Sequence, residues 1–250
     1  MTTLFAETIG TGEPTLVLLH GQGANGVVWK PLLDRLSFWP GRIVVPDLRG
    51  HGRSPHATHY AMAHHAADVA SLFEPGARLH VVGHSMGGAV ALVLASGWFG
   101  VEIARVTAFG VKTAWSVEEL QKAEAFAASP VRWFDTRQAA AERFLRAAGL
   151  FGLVDAADPV VDAGIRDEGG RWRLAADNAS VRAAGLTLAD MFPRTRVPVR
   201  LFCGEFDPLV RAEDLRAYDP EALAVPGCGH NPHVQAPDEV AAIVRKLHLS

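Results

Sequence analysis

The sequence predicts an α/β fold, with a mostly parallel sheet of about seven strands, helices on both faces and one insertion. Three observations predict it. Short apolar runs alternate with segments of helical periodicity up to residue 111 and again from residue 194. Thr15–Leu19 reads as a continuous apolar run, as expected of a strand covered on both faces. Between residues 112 and 193 the alternation stops. With 250 residues, 49% hydrophobic and 20% charged, the chain can bury a sizeable core and suits one large domain carrying an insertion.

Taken in order, Thr2–Ile9 reads as a strand and "GTGEP" as its turn. Thr15–Leu19 is the second strand, Val27–Leu36 a helix and Arg42–Val45 a short strand. The polar loop "PDLRGHGRSPHATHY" leads into a helix over Ala61–Phe73. Leu79–Val82 is a strand, Gly87–Ala95 a helix and Ile103–Phe109 a strand. In the insertion, Trp115–Ala128 and Thr136–Ala148 read as helices with aromatic faces, and Asp155–Asp190 is mixed and richer in charge. Strand logic returns at Val197–Cys203, with a helix around Arg211–Ala217, a strand at Leu223–Val225 and a last helix at Pro237–Leu247. Residues 1–111 and 194–250 are therefore expected to form the core, and 112–193 a mainly helical cover over one end of the sheet.

The composition excludes several classes. The net charge is −3 and the basic residues are scattered, with no basic block or stripe that would bind nucleic acid. Met1 to Glu13 lacks the pattern of a secretory leader, and Gly87–Val101 is too short and too rich in glycine to span a bilayer. A cytoplasmic protein without a membrane partner is expected. Cys203 and Cys228 give neither a disulfide framework nor zinc-ligand spacing; reduced thiols are the default, and a link between them stays open. Monomer and homodimer both stay open.

The chemistry begins at "HVVGHSMGGAV". Gly83-His84-Ser85-Met86-Gly87 has the pattern Gly-x-Ser-x-Gly, with a strand before it and a helix after it. In that context the turn is sharp and the serine strained, and residues two before and two after must be small. Gly88 is expected to let the helix pack close to the sheet. The hydroxyl then projects from the carboxyl edge of the sheet, where the Met86 N–H can stabilise an oxyanion. A second donor is expected in "LVLLHGQG", at the Gln22 N–H, with His20 holding the loop rather than acting as a base.

A serine hydroxyl is a weak nucleophile at neutral pH and needs an oriented base. Asp207 follows the strand Val199–Cys203 in "LFCGEFDPLV", and His230 lies in "VPGCGHNPH" after the next strand. The order Ser85, Asp207, His230 is the one this serine turn requires on such a sheet. Asp207 is preferred to its neighbour Glu205, and His230 to His233. The loop "GVKTAW" after Ile103–Phe109 offers no alternative acid.

The segments "LVLLHGQG", "VVPDLRGHGRS", "VVGHSMGGAVAL", "LFCGEFDPLV" and "VPGCGHNPHVQAPDEV" together resemble the α/β-hydrolase-fold proteins, a group holding esterases, lactonases, cofactor-free perhydrolases and carbon–carbon bond hydrolases. The resemblance covers nearly the whole chain outside the insertion and implies a helical cap there. Gln235 stands where the family often has glutamate, and the shortened N-terminal part points to seven strands rather than eight. A serine at the nucleophile position argues against dehalogenase and epoxide-hydrolase chemistry, for which the family uses aspartate.

The remaining candidates are assigned to structure. Asp47 and His51 shape their loop. His51, His56, His59, His64 and His65 have irregular spacing and read as a solvated, histidine-rich surface rather than a metal site. His84 is directed away by the turn and packs, and Trp29 anchors a helix to the sheet. Most aromatic residues of the insertion form its own core, with Trp115 and Trp133 the candidates for an acyl or aryl pocket. The expected activity is a serine hydrolase for a carboxylic ester or related acyl compound, a small molecule, with no cofactor and no metal. Hydrolysis of dienoic ketoacids from ring cleavage and cofactor-free perhydrolysis are the rival reactions; a ligand receptor with little turnover is the rival of another class.

Overall fold

Nine strands and ten α-helices form in the computed structural model, which describes residues 2–249; Met1 and Ser250 lie outside the described residues. The strands are β1 (Ala6–Ile9), β2 (Thr15–Leu19), β3 (Ile43–Pro46), β4 (Arg78–His84), β5 (Glu102–Phe109), β6 (Ile165–Glu168), β7 (Arg171–Leu174), β8 (Val199–Gly204) and β9 (Leu223–Val225). Seven make one sheet in the order β1-β3-β2-β4-β5-β8-β9. Only β1 runs antiparallel to its neighbour; the other pairs are parallel, as expected when each connection is a crossover.

The side-chain period of two explains why the strands read as unbroken apolar runs. Val17 and Leu19 of β2, Leu79 and Val81 of β4, Val106 and Ala108 of β5, and Leu201 of β8 share one packing layer with α2 (Met62–Ala70) and α3 (Met86–Leu94). Leu16, Leu18, Val82, Phe109 and Phe202 pack on the other side with Trp29, with Leu32 of α1 (Lys30–Leu33) and with Val240 and Val244 of the C-terminal helix. Each fully buried side chain of this kind contributes roughly 1.5–3 kcal/mol of transfer free energy. Cys203 and Cys228 are unpaired and belong to these two different layers.

The helix expected over Val27–Leu36 is shorter than its periodicity. A 3₁₀ turn at Gly26–Trp29, capped by the Asn25 side chain, leads into α1, and beyond it Arg35 and Leu36 make tight i,i−3 bonds to Leu32 and Leu33. Between β5 and β8 the chain adds no strand to the main sheet. It forms α4 (Val117–Ala127), α5 (Arg137–Ala147), α6 (Pro159–Gly164), the β6–β7 hairpin, a 3₁₀ turn at Asn178–Ala183 and α7 (Leu188–Met191). The hairpin is the departure from a mainly helical segment. Gly169 and Gly170 connect its strands at φ 67° and 84°, the left-handed pair that a two-residue hairpin turn needs. The last helices are α8 (Ala212–Leu215), α9 (Pro232–Gln235) and α10 (Pro237–His248). No helix among the described residues is long and apolar enough to cross a membrane.

Candidate active site

Ser85 is the single residue between β4 and α3. It sits at φ 51°, ψ −116°, the only non-glycine among the described residues with positive φ. Such a conformation costs roughly 1–3 kcal/mol and persists only where its surroundings impose it. The Ser85 N–H donates to Phe109 O at 2.7 Å, and the Ala89 N–H donates to Ser85 O at 3.1 Å. The turn admits no side chains beside it: a Cβ on Gly83 would lie 2.3 Å from Gly87 O, and one on Gly87 2.1 Å from Leu19 O. A Cβ on Gly88 would lie 3.0 Å from Gly83 O of β4 and 3.3 Å from Ala108 Cβ of β5, so that glycine lets α3 sit close to the sheet. Met86 opens α3, and the first amides of a helix have no acceptor within it.

The loop after β2 runs beside this turn: a Cβ on Gly21 would lie 3.2 Å from Ser85 Cβ. Gln22 and Gly23 are the central residues of a turn closed by Ala24 N–H to Gly21 O, with Gly23 at φ 77°. The closing bond does not consume the Gln22 amide. His20 is fully buried and bonded at both ring nitrogens: Nδ1 donates to Gly21 O at 2.8 Å, and Nε2 accepts from Leu48 N–H at 2.9 Å. Gly21 O and Gln22 N–H belong to one peptide plane, so holding the oxygen aims the amide the opposite way. Burial also lowers the His20 pKa, which suits a neutral structural imidazole.

At the ends of β8 and β9 the acid and the histidine meet. Asp207 Oδ2 lies 2.9 Å from His230 Nδ1, with the Asp207 side chain fully buried and that of His230 19% exposed. A carboxylate accepts, so the proton of this bond is on Nδ1, the arrangement that leaves the lone pair of a neutral imidazole on Nε2. Asp207 Oδ1 accepts from Leu209 N–H, which fixes the other oxygen. Glu205 points elsewhere and accepts from Gly227 N–H at 2.8 Å. His233 is fully buried against Trp29, Phe109 and His84, and burial pushes its pKa down to about 3. The His230 ring packs on that of His84, the residue before Ser85, at a centroid distance of 4.6 Å.

Ser85, Gln22 and Met86 line one cavity of about 370 Å³. Its other walls are apolar for the most part: Met62, Ala89 and Val111 from the core side, and Trp115, Phe126 and Leu186 from the segment between β5 and β8. Lys112 and Lys122 also reach it, but each pairs with a carboxylate, Glu119 and Glu118 respectively. Trp115 thus lines the cavity. Trp133 is not among its lining residues; the Arg171 guanidinium lies over its ring at 5.3 Å. Both cysteines are buried, neither lines this cavity, and burial raises both thiol pKa values, that of Cys203 to about 11.

The sequence model of the alpha/beta hydrolase family matches residues 16–243. The chain belongs to this family. Lipase LipV of Mycobacterium tuberculosis is 30% identical over 97% of this chain and 96% of its own length. Other curated relatives match over less than half of their length: 47% for one from Variovorax paradoxus, and 36% for the pimeloyl-[acyl-carrier protein] methyl ester esterase of Sodalis glossinidius, which is 41% identical over 38% of this chain. Among solved structures, E-2-(acetamidomethylene)succinate hydrolase superposes with a TM-score of 0.80 at 22% identity, over 99% of this chain and 96% of that one. The thioesterase domain of the curacin biosynthetic pathway gives 0.77 at 24% identity, over 96% and 93%. Both speak for the fold, and the relatives' names support a hydrolase on it.

Several histidines of this alpha/beta hydrolase differ from their sequence reading. His56, His59 and His64 are exposed, but His51 and His65 are fully buried, so that stretch is not one solvated surface. His51 Nδ1 donates to Arg49 O, and Asp47 accepts from Gly26 N–H and Arg53 N–H, which shapes the loop as expected. Among the described residues no group of three or more His, Cys, Asp or Glu side chains could hold a metal ion. His84 does more than pack: its Nε2 donates to His230 O at 2.8 Å, tying the serine turn to the His230 loop. Nothing in the local pattern announces that tie, because the two residues are 146 apart.

Proposed function

We propose that this chain is a serine hydrolase that cleaves carboxylic esters of apolar acyl groups through an acyl-enzyme on Ser85. The observation that carries the reading is the strained Ser85 at the head of α3, opening into a mostly apolar cavity that it shares with Gln22 and Met86. In this mechanism His230 Nε2 takes the Ser85 hydroxyl proton as Oγ attacks the acyl carbon. The Gln22 and Met86 N–H groups hold the oxyanion, each donor contributing about 2.7–4 kcal/mol in such sites. His230 then protonates the leaving alcohol, and the ester bond breaks. Water gives its proton to His230 and attacks the acyl-serine, which releases the acid and restores Ser85. Asp207 keeps the proton on Nδ1 and stabilises the imidazolium.

Residues 112–193 act as the cap that shapes the acyl side of the cavity. The lipase and methyl ester esterase among the relatives agree with ester chemistry. Cleavage of a dienoic ketoacid would use the same three side chains. The apolar walls, and the pairing of both lysines with carboxylates, favour a neutral acyl chain instead. The test is turnover of p-nitrophenyl esters from acetate to decanoate beside esters, lactones, thioesters and a dienoic ketoacid. Hydrolysis that peaks at a medium acyl chain and vanishes in Ser85→Ala is expected. Binding of these compounds without hydrolysis, or activity that survives Ser85→Ala, would overturn the reading.

A further inference from the structure

The Gln22 side chain leaves the core. Its Nε2 donates to Ser180 Oγ at 2.7 Å, across 158 residues of sequence. Ser180 is fully buried in the 3₁₀ turn Asn178–Ala183, and its hydroxyl donates onward to Asp177 O at 2.6 Å. Asp177 is itself anchored on the core: its N–H donates to Gly50 O at 2.8 Å, and Tyr60 Oη donates to its Oδ2 at 2.6 Å. Gly50 lies close under the Tyr60 ring, where a Cβ would approach to 2.6 Å. The 3₁₀ turn is therefore a bracket between two core loops, with its outer end on Gly50 and Tyr60 and its inner end on Gln22.

The bracket acts where the loop is least constrained by its own chain. Gln22 stands between Gly21 and Gly23, the residue type that restricts a backbone least. His20 fixes the direction of the Gly21–Gln22 peptide through Gly21 O, but not how far the turn leans over the cavity. The hydrogen bond to Ser180 supplies that second constraint. Displacing an oxyanion donor by a fraction of an ångström weakens a bond that matters in the transition state and hardly at all in the ground state.

Resting on the ester-hydrolase reading, we infer that Ser180 is a positioning residue for the oxyanion site, holding the Gln22 side chain so that the Gln22 amide stands at the oxyanion. The energetic effect belongs to the transition state, so Ser180→Ala lowers kcat about 10-fold and leaves KM within two-fold. It weakens an alkylboronic acid, which forms a tetrahedral anion on the serine, by a similar factor. It leaves the affinity for the product carboxylic acid unchanged. Gln22→Leu cuts the same link from the core side without touching the bracket, and gives the same losses. Because both variants remove one link, the double variant loses no more than either alone. Ser180→Thr keeps the hydroxyl and recovers kcat relative to Ser180→Ala.

The experiment is steady-state kinetics on p-nitrophenyl octanoate and boronate inhibition for wild type, the single variants and the double variant, with thermal melts of each. Wild-type kcat and boronate affinity in folded Ser180→Ala overturn the inference. So do losses in the double variant that multiply. Should Ser180→Ala fail to fold, Gln22→Leu decides alone: wild-type kcat in that variant overturns the inference. A wild type that turns over no ester overturns the hydrolase reading and this inference with it, whereas an active wild type matched by its variants removes only the inference.

Discussion

Helices α3 and α4 line the same cavity and are held in place differently. Of the nine residues of α3, eight are buried, wedged between α2 and the strands β4 and β5. In α4 only Ala127 is buried, and its apolar side chains Leu120 and Phe126 remain 37% and 38% exposed. Its N-terminus rests on the Ser116–Glu119 capping box and the Lys112–Glu119 pair, and its flank on an exposed pair between Arg182 and Glu124. Exposed pairs contribute about 0–1 kcal/mol each, against roughly 1.5–3 kcal/mol for a buried leucine. The wall that carries Ser85 is thus fixed by burial, while the wall that α4 contributes is held by contacts that can be rearranged cheaply. On the proposed reading, bond chemistry belongs to the first layer and chain preference to the second.

Substitutions in the buried core and on α4 separate the two layers. After Ser85→Ala itself, the largest effect is expected from Asp207→Asn. An amide in place of the carboxylate favours the wrong imidazole tautomer, and kcat falls by about 10³–10⁴-fold with the melting temperature little changed. Retention of the wild-type rate would remove Asp207 from the mechanism. Gly87→Ala comes next. Its methyl must displace the Leu19 carbonyl from 2.1 Å, backbone against backbone, and a stability loss of about 3 kcal/mol or more with loss of activity should appear in urea titrations. A neutral outcome would mean that the turn is not as tight as it stands here.

Acid should expose the same contrast. Burial pushes His51, His233 and His248 down to about 3 from the ordinary 6.5, and none of the three lies between β5 and β8. Each is neutral when folded and binds a proton near pH 6.5 once unfolded. Their contribution is fully present above pH 6.5 and is lost as the pH falls toward 3, at up to about 1.4 kcal/mol per pH unit for each. Urea midpoints at pH 7 and pH 5 read this directly; equal midpoints would contradict the burial of these imidazoles. The smallest effect belongs to Phe126→Ala on α4. It should leave the melting temperature within a few degrees and shift the preferred acyl length, changing the ratio of kcat/KM between long and short esters by roughly 10-fold. An unchanged ratio would take α4 out of substrate selection.

How far the sequence could be read follows the same division. The strands of the main sheet, the serine turn and the Asp207–His230 pair are all legible, because each rests on a local pattern: a period of two, a glycine two residues away, a loop just past a strand. Within the segment between β5 and β8 the patterns are short and mixed. The Gly169-Gly170 turn signal is there to be read as a hairpin, but its strands are four residues each and charged. Trp133 could not be told from Trp115 by composition, since only tertiary placement puts one in the cavity and the other under Arg171. The links from Gln22 to Ser180 and from His84 to His230 join remote residues and leave no periodic trace. Buried His51 and His65 were unreadable for the same reason: a histidine looks equally at home on a surface until its neighbours are known.

The central claim is that Ser85 carries the acyl group. Rapid acid quench of the wild-type protein during turnover of p-nitrophenyl octanoate, followed by intact-mass and peptide mass spectrometry, tests it most directly. The account predicts a mass increase equal to one octanoyl group, mapped to the peptide containing Ser85, and none in Ser85→Ala. Turnover with the adduct on another residue, or continued turnover in Ser85→Ala, would contradict it.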